Sequence, residues 1–351
     1  MVVAFEGGWG REARVGVALL MGLWGSACRS EADERRAGHS EVSTLALGTP
    51  PSPAPPAASA PRAEASAGAI DPALLARGRY FANAIVDCTS CHTQRSDVDQ
   101  TQLLGPEWAG GEVFDRRWDL PGSLITPNLT PDRETGLGTW ADEELWRAVR
   151  QGVNRAGEPL FPLMPAHLYR NMADDDLRAL TAFLRSLPPQ KKPTDRVTQL
   201  DMPRSALPRL PALGGPVAGP PPGDAVARGK YIVTLANCIT CHSPTQKGQL
   251  LEPRFLAGGV AFTTPFGNFV SPNITPDAET GIGRHSDADL VRLFREGMQK
   301  NGKQVFANFM PWYVYRNMTD EDLAAVIAYL RSLPPVQNDV RLAENQYPLG
   351  R

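Results

Sequence analysis

Apolar positions recur every three to four residues in ADEELWRAVRQG (141–152) and again in SDADLVRLFREG (286–297), and each stretch ends on a glycine, Gly152 or Gly297. Both the period and the stop residue are those of an amphipathic helix. DDDLRALTAFLRSLPP (174–189) and TDEDLAAVIAYLRSLPP (319–335) show the same period and end on paired prolines, which cannot continue a helix. Thr319 with Asp322 approximates a capping box ahead of the second. Asp71-Pro72 and Asp224 are placed to cap helices running into two cysteine clusters. Between the helices lie long polar stretches rich in glycine and proline, with few strand-like runs. The pattern predicts an all-α fold of short helices and long loops.

The helical stretches belong to one block written twice. ARGRYFANAIVDCTSCH (76–92) returns as ARGKYIVTLANCITCH (227–242), and NLTPDRETGLG (128–138) matches NITPDAETGIG (273–283) at eight of eleven positions. YRNM (169–172) and RSLPP (185–189) return at 315–318 and 331–335. The chain therefore carries a duplicated domain, over 71–190 and 224–337. Residues 191–223 link the copies, with PRLPALGGPVAGPPPG (208–223) as a semi-rigid spacer, and 338–351 form a tail.

The first 70 residues read differently. Arg11 and Arg14 precede the apolar run VGVALLMGLWG (15–25), which has the length of a secretory core and is short for a membrane span. Small residues lead on to Cys28. A cysteine in that place resembles a bacterial lipoprotein cleavage site, although Gly25 stands where leucine is usual. Lipidation of Cys28 is the expected outcome, and simple cleavage with Cys28 discarded is the other. Either way residues 1–28 are an export signal, which places the mature protein in the periplasm, anchored to the membrane if Cys28 is lipidated. Residues 29–70, with PPSPAPPAASAP at their centre, carry too little apolar side chain to offset the entropy of ordering and are expected to be a disordered tether.

Charge narrows the partners. The 351 residues carry a formal net charge of −2, so the chain lacks the basic signature of a nucleic-acid binder. The first block has 17 acidic against 12 basic residues and the second 10 against 11. Such asymmetry raises encounter rates with a protein partner more than it raises affinity.

Four of the five cysteines stand in two copies of C-x-x-C-H: Cys88, Cys91 and His92, then Cys238, Cys241 and His242. Positions three apart share a helix face, so both thiols reach one planar ligand and the imidazole follows directly. C-x-x-C-H is the attachment signature of c-type haem. The thiols add to the vinyl groups as thioethers, and the histidine becomes the proximal iron ligand. A redox dithiol needs no histidine there, and a zinc site needs more Cys or His than His39, His167 and His285 supply. Two covalent haems also answer a structural need, because three short helices around long loops bury little by themselves.

The sixth iron ligand is expected from methionine. His167 aligns with Tyr313 and His285 with Trp140, so neither histidine recurs in both copies. Met164 in FPLMPAH aligns with Met310 in FANFMPW, 72 and 68 residues after the respective histidines, and both precede a proline. Met172 and Met318 also recur, each just before a helix cap and five residues before Leu177 or Leu323. That is the spacing of a hydrophobic staple, so these two are read as packing residues. Met164 and Met310 are the expected distal ligands.

On these motifs, together with AGG (109–111 and 257–259), residues 71–335 resemble two class I cytochrome c modules. The branch they are similar to comprises the cytochrome c subunits of membrane-bound bacterial alcohol, sugar and sugar-acid dehydrogenases. The resemblance implies an electron carrier without substrate chemistry of its own, taking single electrons from a dehydrogenase donor to a cytochrome, quinone or oxidase acceptor. Two departures stand out. Such subunits commonly carry three modules where this chain has two. Trp140, at a place that in these modules often lies near a haem propionate, is His285 in the second copy. A dihaem cytochrome c peroxidase is the alternative reading; it would require one haem with an openable site, and His167 is the residue near Met164 that could serve it.

Overall fold

The computed structural model describes residues 70–96, 102–192, 198–246, 249–264, 267–307 and 309–340. The export signal, Cys28 and all but the last residue of the expected tether lie outside them. The first copy contains α1 (Pro72–Tyr80), α2 (Cys88–His92), β1 (Val113–Phe114), β2 (Gly122–Ile125), α3 (Asp142–Gln151), α4 (Ala166–Tyr169) and α5 (Asp174–Ser186), after which β3 (Gln199–Leu200) follows in the linker. The second contains α6 (Ala225–Leu235), α7 (Cys238–His242), β4 (Thr245–Gln246), β5 (Gln249–Leu250), β6 (Ala261–Thr264), β7 (Gly267–Val270), α8 (Asp287–Glu296), α9 (Trp312–Tyr315) and α10 (Asp320–Ser332).

The helices begin and end where the side chains dictate. Asp71 accepts a hydrogen bond from Ala73 N at 2.9 Å and Asp224 from Ala227 N at 2.8 Å. Gly152 and Gly297 close α3 and α8 in the left-handed conformation, φ 63° and 70°, that glycine adopts without strain. Ser286 and Asp289 make a reciprocal capping box on α8.

An all-α description is nevertheless too narrow. Short antiparallel strands pair as β1-β2-β3, β4-β5 and β6-β7. None exceeds four residues, so no alternating run marks them in the sequence, and the loops form them by closing back on themselves. β3 comes from the linker: Gly122 pairs with Leu200 and Ser123 with Gln199. Farther along, Leu207 is buried with Phe114, Trp118 and Phe161, Arg170 bonds Pro211 O at 3.0 Å, and Asp174 N bonds Val217 O at 2.9 Å. The proline-rich segment is thus laid along the first module rather than spanning open solvent.

In each module the first helix crosses the last, α1 against α5 and α6 against α10. The crossing is close because Gly78 and Gly229 sit at it. A Cβ on Gly78 would run into the backbone carbonyl of Ala179, and one on Gly229 into that of Ala325. The first helices differ in one respect. Seven residues separate Tyr80 from Cys88, whereas six separate Tyr231 from Cys238. The extra residue is absorbed as a π-helical stretch over Phe81–Ile85, where Val86 N reaches back five residues to Phe81 O at 2.9 Å. In the second module Ala236 N makes the ordinary four-residue bond to Ile232 O, at 2.7 Å.

The modules meet through an approximately two-fold exchange. Tyr80 of the first donates to Asp322 of the second at 2.6 Å, and Tyr231 of the second donates to Asp176 of the first at 2.6 Å. Each tyrosine oxygen also accepts from the backbone at the partner cap, Thr319 N at 3.2 Å and Ala173 N at 2.9 Å. Arg77 pairs with Asp176, and Arg228 with Asp322 at 2.7 Å, within their own modules. Phe81 packs edge-on to Tyr231, ring centres 6.3 Å apart, and a single buried apolar cluster runs through both modules.

Candidate functional site

Each cysteine motif forms one helical turn, α2 or α7, entered through a left-handed residue: Asp87 at φ 50° and Asn237 at φ 60°. Asp and Asn tolerate this conformation better than other residues with side chains. Asp87 then caps α2, accepting from Ser90 N at 3.2 Å. All four cysteines of the motifs are free thiols. Burial, with Asp87 adding, pushes the Cys88 thiol up to about 12, and burial pushes Cys241 to about 11.

His92 and His242 are oriented alike. His92 Nδ1 lies 2.9 Å from Pro127 O, and His242 Nδ1 lies 2.9 Å from Pro272 O. A carbonyl only accepts, so Nδ1 carries the proton and Nε2 presents a bare lone pair. Burial lowers both imidazole pKa values, with the carbonyl bond opposing it. A neutral ring with its second nitrogen tethered to a carbonyl is what an iron ligand requires.

The repeated loop motifs hold that carbonyl in place. Asn128 follows Pro127, and its Oδ1 accepts from Thr130 N at 2.9 Å and Thr130 Oγ1 at 2.8 Å, while its Nδ2 reaches Gln190 O at 2.7 Å. Asn273 repeats all three bonds, with Thr275 N at 2.9 Å, Thr275 Oγ1 at 2.8 Å and Val336 O at 2.7 Å. Asp132 and Asp277 cap the following turns by accepting from Thr135 N and Thr280 N, each at 2.7 Å. On the other side Gly110 N donates to His92 O at 2.8 Å and Gly258 N to His242 O at 2.7 Å. Sequence reasoning did not name Pro127 and Pro272 as partners of the histidines. The available signal was a proline just before each Asn-x-Thr-Pro-Asp.

The four paired methionines fall into two environments. Met172 and Met318 are 0% and 4% exposed and directly precede the caps of α5 and α10. Their carbonyls accept from Arg150 and from Arg295 Nη1, and Leu177 and Leu323, four positions past those caps, are buried with them. Met164 and Met310 are half-buried and border the same cluster as Cys88 and Cys238. Each enters a short helix through a proline: Ala166 N bonds Met164 O at 2.8 Å and Trp312 N bonds Met310 O at 2.7 Å. His167 is exposed on α4. Tyr313, its counterpart, is half-buried, and its Oη lies 2.8 Å from Ser90 Oγ. Trp140 and His285 share a backbone role, their carbonyls accepting from Arg185 Nη2 at 2.5 Å and from Arg331 Nη2 respectively.

A family model described as cytochrome c matches residues 75–188 and again 226–334. The chain belongs to the cytochrome c family. Cytochrome c modules imply covalent haem c, and two matches imply two haems. The residues fit that group: paired free thiols on one turn, followed by a neutral imidazole with a free nitrogen. The cytochrome is 31% identical over 290 residues to the cytochrome c subunit of a quinone alcohol dehydrogenase from Gluconobacter oxydans, covering 78% of this chain and 58% of the relative. It is 30% identical over 294 residues to a fructose dehydrogenase cytochrome subunit from Gluconobacter japonicus, covering 79% and 56%. A diheme cytochrome c-type protein of Cereibacter sphaeroides is 29% identical over 261 residues, covering 71% and 83%. The chain thus spans a little over half the length of the two dehydrogenase subunits and most of the diheme protein.

Proposed function

We propose that this cytochrome carries one haem c on each module and relays single electrons from a membrane-bound or periplasmic dehydrogenase to a respiratory acceptor. The observation that carries the reading is the matched tethering of His92 and His242, each leaving one nitrogen free beside two thiols. Bound haem supplies a one-electron couple at its iron. The protein supplies the thioether anchors at Cys88, Cys91, Cys238 and Cys241, the proximal imidazoles, and thioether ligands from Met164 and Met310. A haem iron held by one of these imidazoles and one of these thioethers would have no position open to substrate chemistry. The names of the two dehydrogenase relatives support a dehydrogenase as donor, and the matched methionines speak against the peroxidase alternative.

Mass spectrometry of the denatured protein should find two haems per chain, resistant to acidified solvent. Met164→Ala and Met310→Ala should each remove half of the ferric sulfur-to-iron band, while Met172→Ala and Met318→Ala keep it and lower stability by about 2–5 kcal/mol through cavity formation. The opposite pattern would reverse the ligand assignment.

Export and a lipid anchor at Cys28 complete the proposal, because a relay serving a membrane dehydrogenase benefits from staying at that surface. Cys28→Ser should move the cytochrome from the membrane fraction to the soluble periplasmic fraction. Unchanged fractionation would remove the anchor and leave the relay intact.

A further inference from the structure

The two modules are related by an approximate two-fold, yet one contact between them has no equivalent. Ser90 stands between the attachment cysteines Cys88 and Cys91 of the first module, and its hydroxyl lies 2.8 Å from that of Tyr313 in the second. Tyr313 follows Met310 by three residues, on the turn that presents the expected distal ligand. The symmetry-related pair is Thr240 and His167. Both are exposed, and among the described residues no hydrogen bond joins them.

Neighbouring contacts hold the Ser90 edge closed. The Arg95 guanidinium lies 6.0 Å from the centre of the Tyr313 ring. Phe306 and Phe309, which lead into Met310, pack on the apolar cluster of Phe114, Trp118 and Phe161 that Cys91 also borders. Phe309 stacks on Phe269 with ring centres 3.6 Å apart, which keeps this loop registered within its own module. The attachment turn of one module is therefore clamped to the ligand loop of the other on one side of the pair only.

We infer that the Ser90–Tyr313 hydroxyl contact is the route by which electrons pass between the two haems. This rests on the reading that Cys88 and Cys91 anchor one haem and Met310 ligates the other. Electronic coupling falls off more slowly through covalent and hydrogen bonds than across van der Waals gaps. From the Cys91 thioether the path runs through the backbone to Ser90 Oγ, across one hydrogen bond to Tyr313 Oη, and back along the chain to Met310. One electron leaves the reduced haem as the oxidised haem gains it, no iron ligand is exchanged, and the hydroxyl protons stay in place. Burial, then the charge of Asp87, pushes Tyr313 to about 12, against the opposing bond from Ser90, so its proton is retained at neutral pH.

The test uses the full haem-loaded chain with half its haem reduced, and reads exchange between the haems from the line shapes of their NMR methyl signals. Tyr313→Phe keeps the ring and removes the hydroxyl; Ser90→Ala removes the other half of the bridge. Each should slow exchange several-fold with both reduction potentials and the ferric spectrum unchanged. The double variant should be no slower than the slower single one, since both remove one bond. His167→Phe should leave the rate as it was. Unchanged exchange in a correctly loaded Tyr313→Phe or Ser90→Ala protein overturns the bridge. Slowing accompanied by a shifted potential or loss of the Met310 band also overturns it, because that marks displacement of the loop. Failure to find two haems, or a Met310 band in the parent protein, would instead overturn the electron-carrier reading itself. Should one variant fail to load haem, the other decides.

Discussion

The chemistry at single residues depends on a backbone oxygen that no side chain advertises. Gly110 adopts φ 66° and Gly258 φ 68°, and a Cβ on either would lie about 2.3–2.5 Å from the carbonyl carbon of Pro127 or Pro272. These are the carbonyls that hold His92 and His242. Gly110→Ala should therefore do more than strain a loop. It should destabilise the first module by more than about 1 kcal/mol, the least expected where alanine is forced to positive φ, and push away the acceptor for His92 Nδ1. The measurement is the near-infrared and NMR signature of the ferric haem in that module beside a denaturant curve; a stability loss with His92 signals unmoved would show the glycine serves the turn alone. The cysteines, histidines and paired methionines stand out in the sequence as candidates because their side chains can carry the proposed chemistry and each recurs in both copies. The two carbonyls do not, since any residue supplies one.

Among the elements, the duplicated helices were readable because caps, period and stop residues agree, and differences between copies mark where reading failed. Thr319 does accept from Asp322 N at 3.1 Å, as a capping box requires. The Asp322 side chain, however, does not return to the cap. Arg228 and Tyr80 hold it instead, at 2.7 Å and 2.6 Å, so a pattern that looks local serves the meeting of two modules. The π-helical stretch at Phe81–Ile85 has a plainer cause in the one-residue difference between the copies. The glycine at each helix crossing, the arginine before it and the tyrosine after it were all visible in ARGRY and ARGKY. Their joint purpose was not, because a motif preserved for docking its own duplicate looks the same as one preserved for folding each copy.

At the scale of the molecule, the exchanged tyrosine and aspartate pairs should make two modules behave as one. Tyr80 and Tyr231 each donate to a carboxylate that is almost wholly buried: Asp322 is 5% exposed and Asp176 is 0%. A hydrogen bond to a charged group contributes about 1.5–3 kcal/mol, and both bonds cross the same interface. The parent chain should unfold in a single denaturant transition followed at both haems. Tyr80→Phe with Tyr231→Phe should separate it into two, each haem reporting its own module, without loss of haem or of the ferric band. The pH dependence supplies a second check. Burial tends to raise the Asp322 pKa, but its bonds from Arg228 and Tyr80 outweigh that and leave it below the ordinary value. A carboxyl depressed in the folded state contributes stability above its unfolded pKa, about 3.9, and the contribution is lost as pH falls through the folded value. The advantage of the parent over Tyr80→Phe should accordingly be full near pH 7 and shrink on acidification below about pH 4. A gap that stays constant through that range would mean the hydroxyl acts through the bond it accepts from Thr319 N and not through the charge of Asp322, and no gap at any pH would leave Tyr80 only its ring packing against Phe81, 5.9 Å away between ring centres.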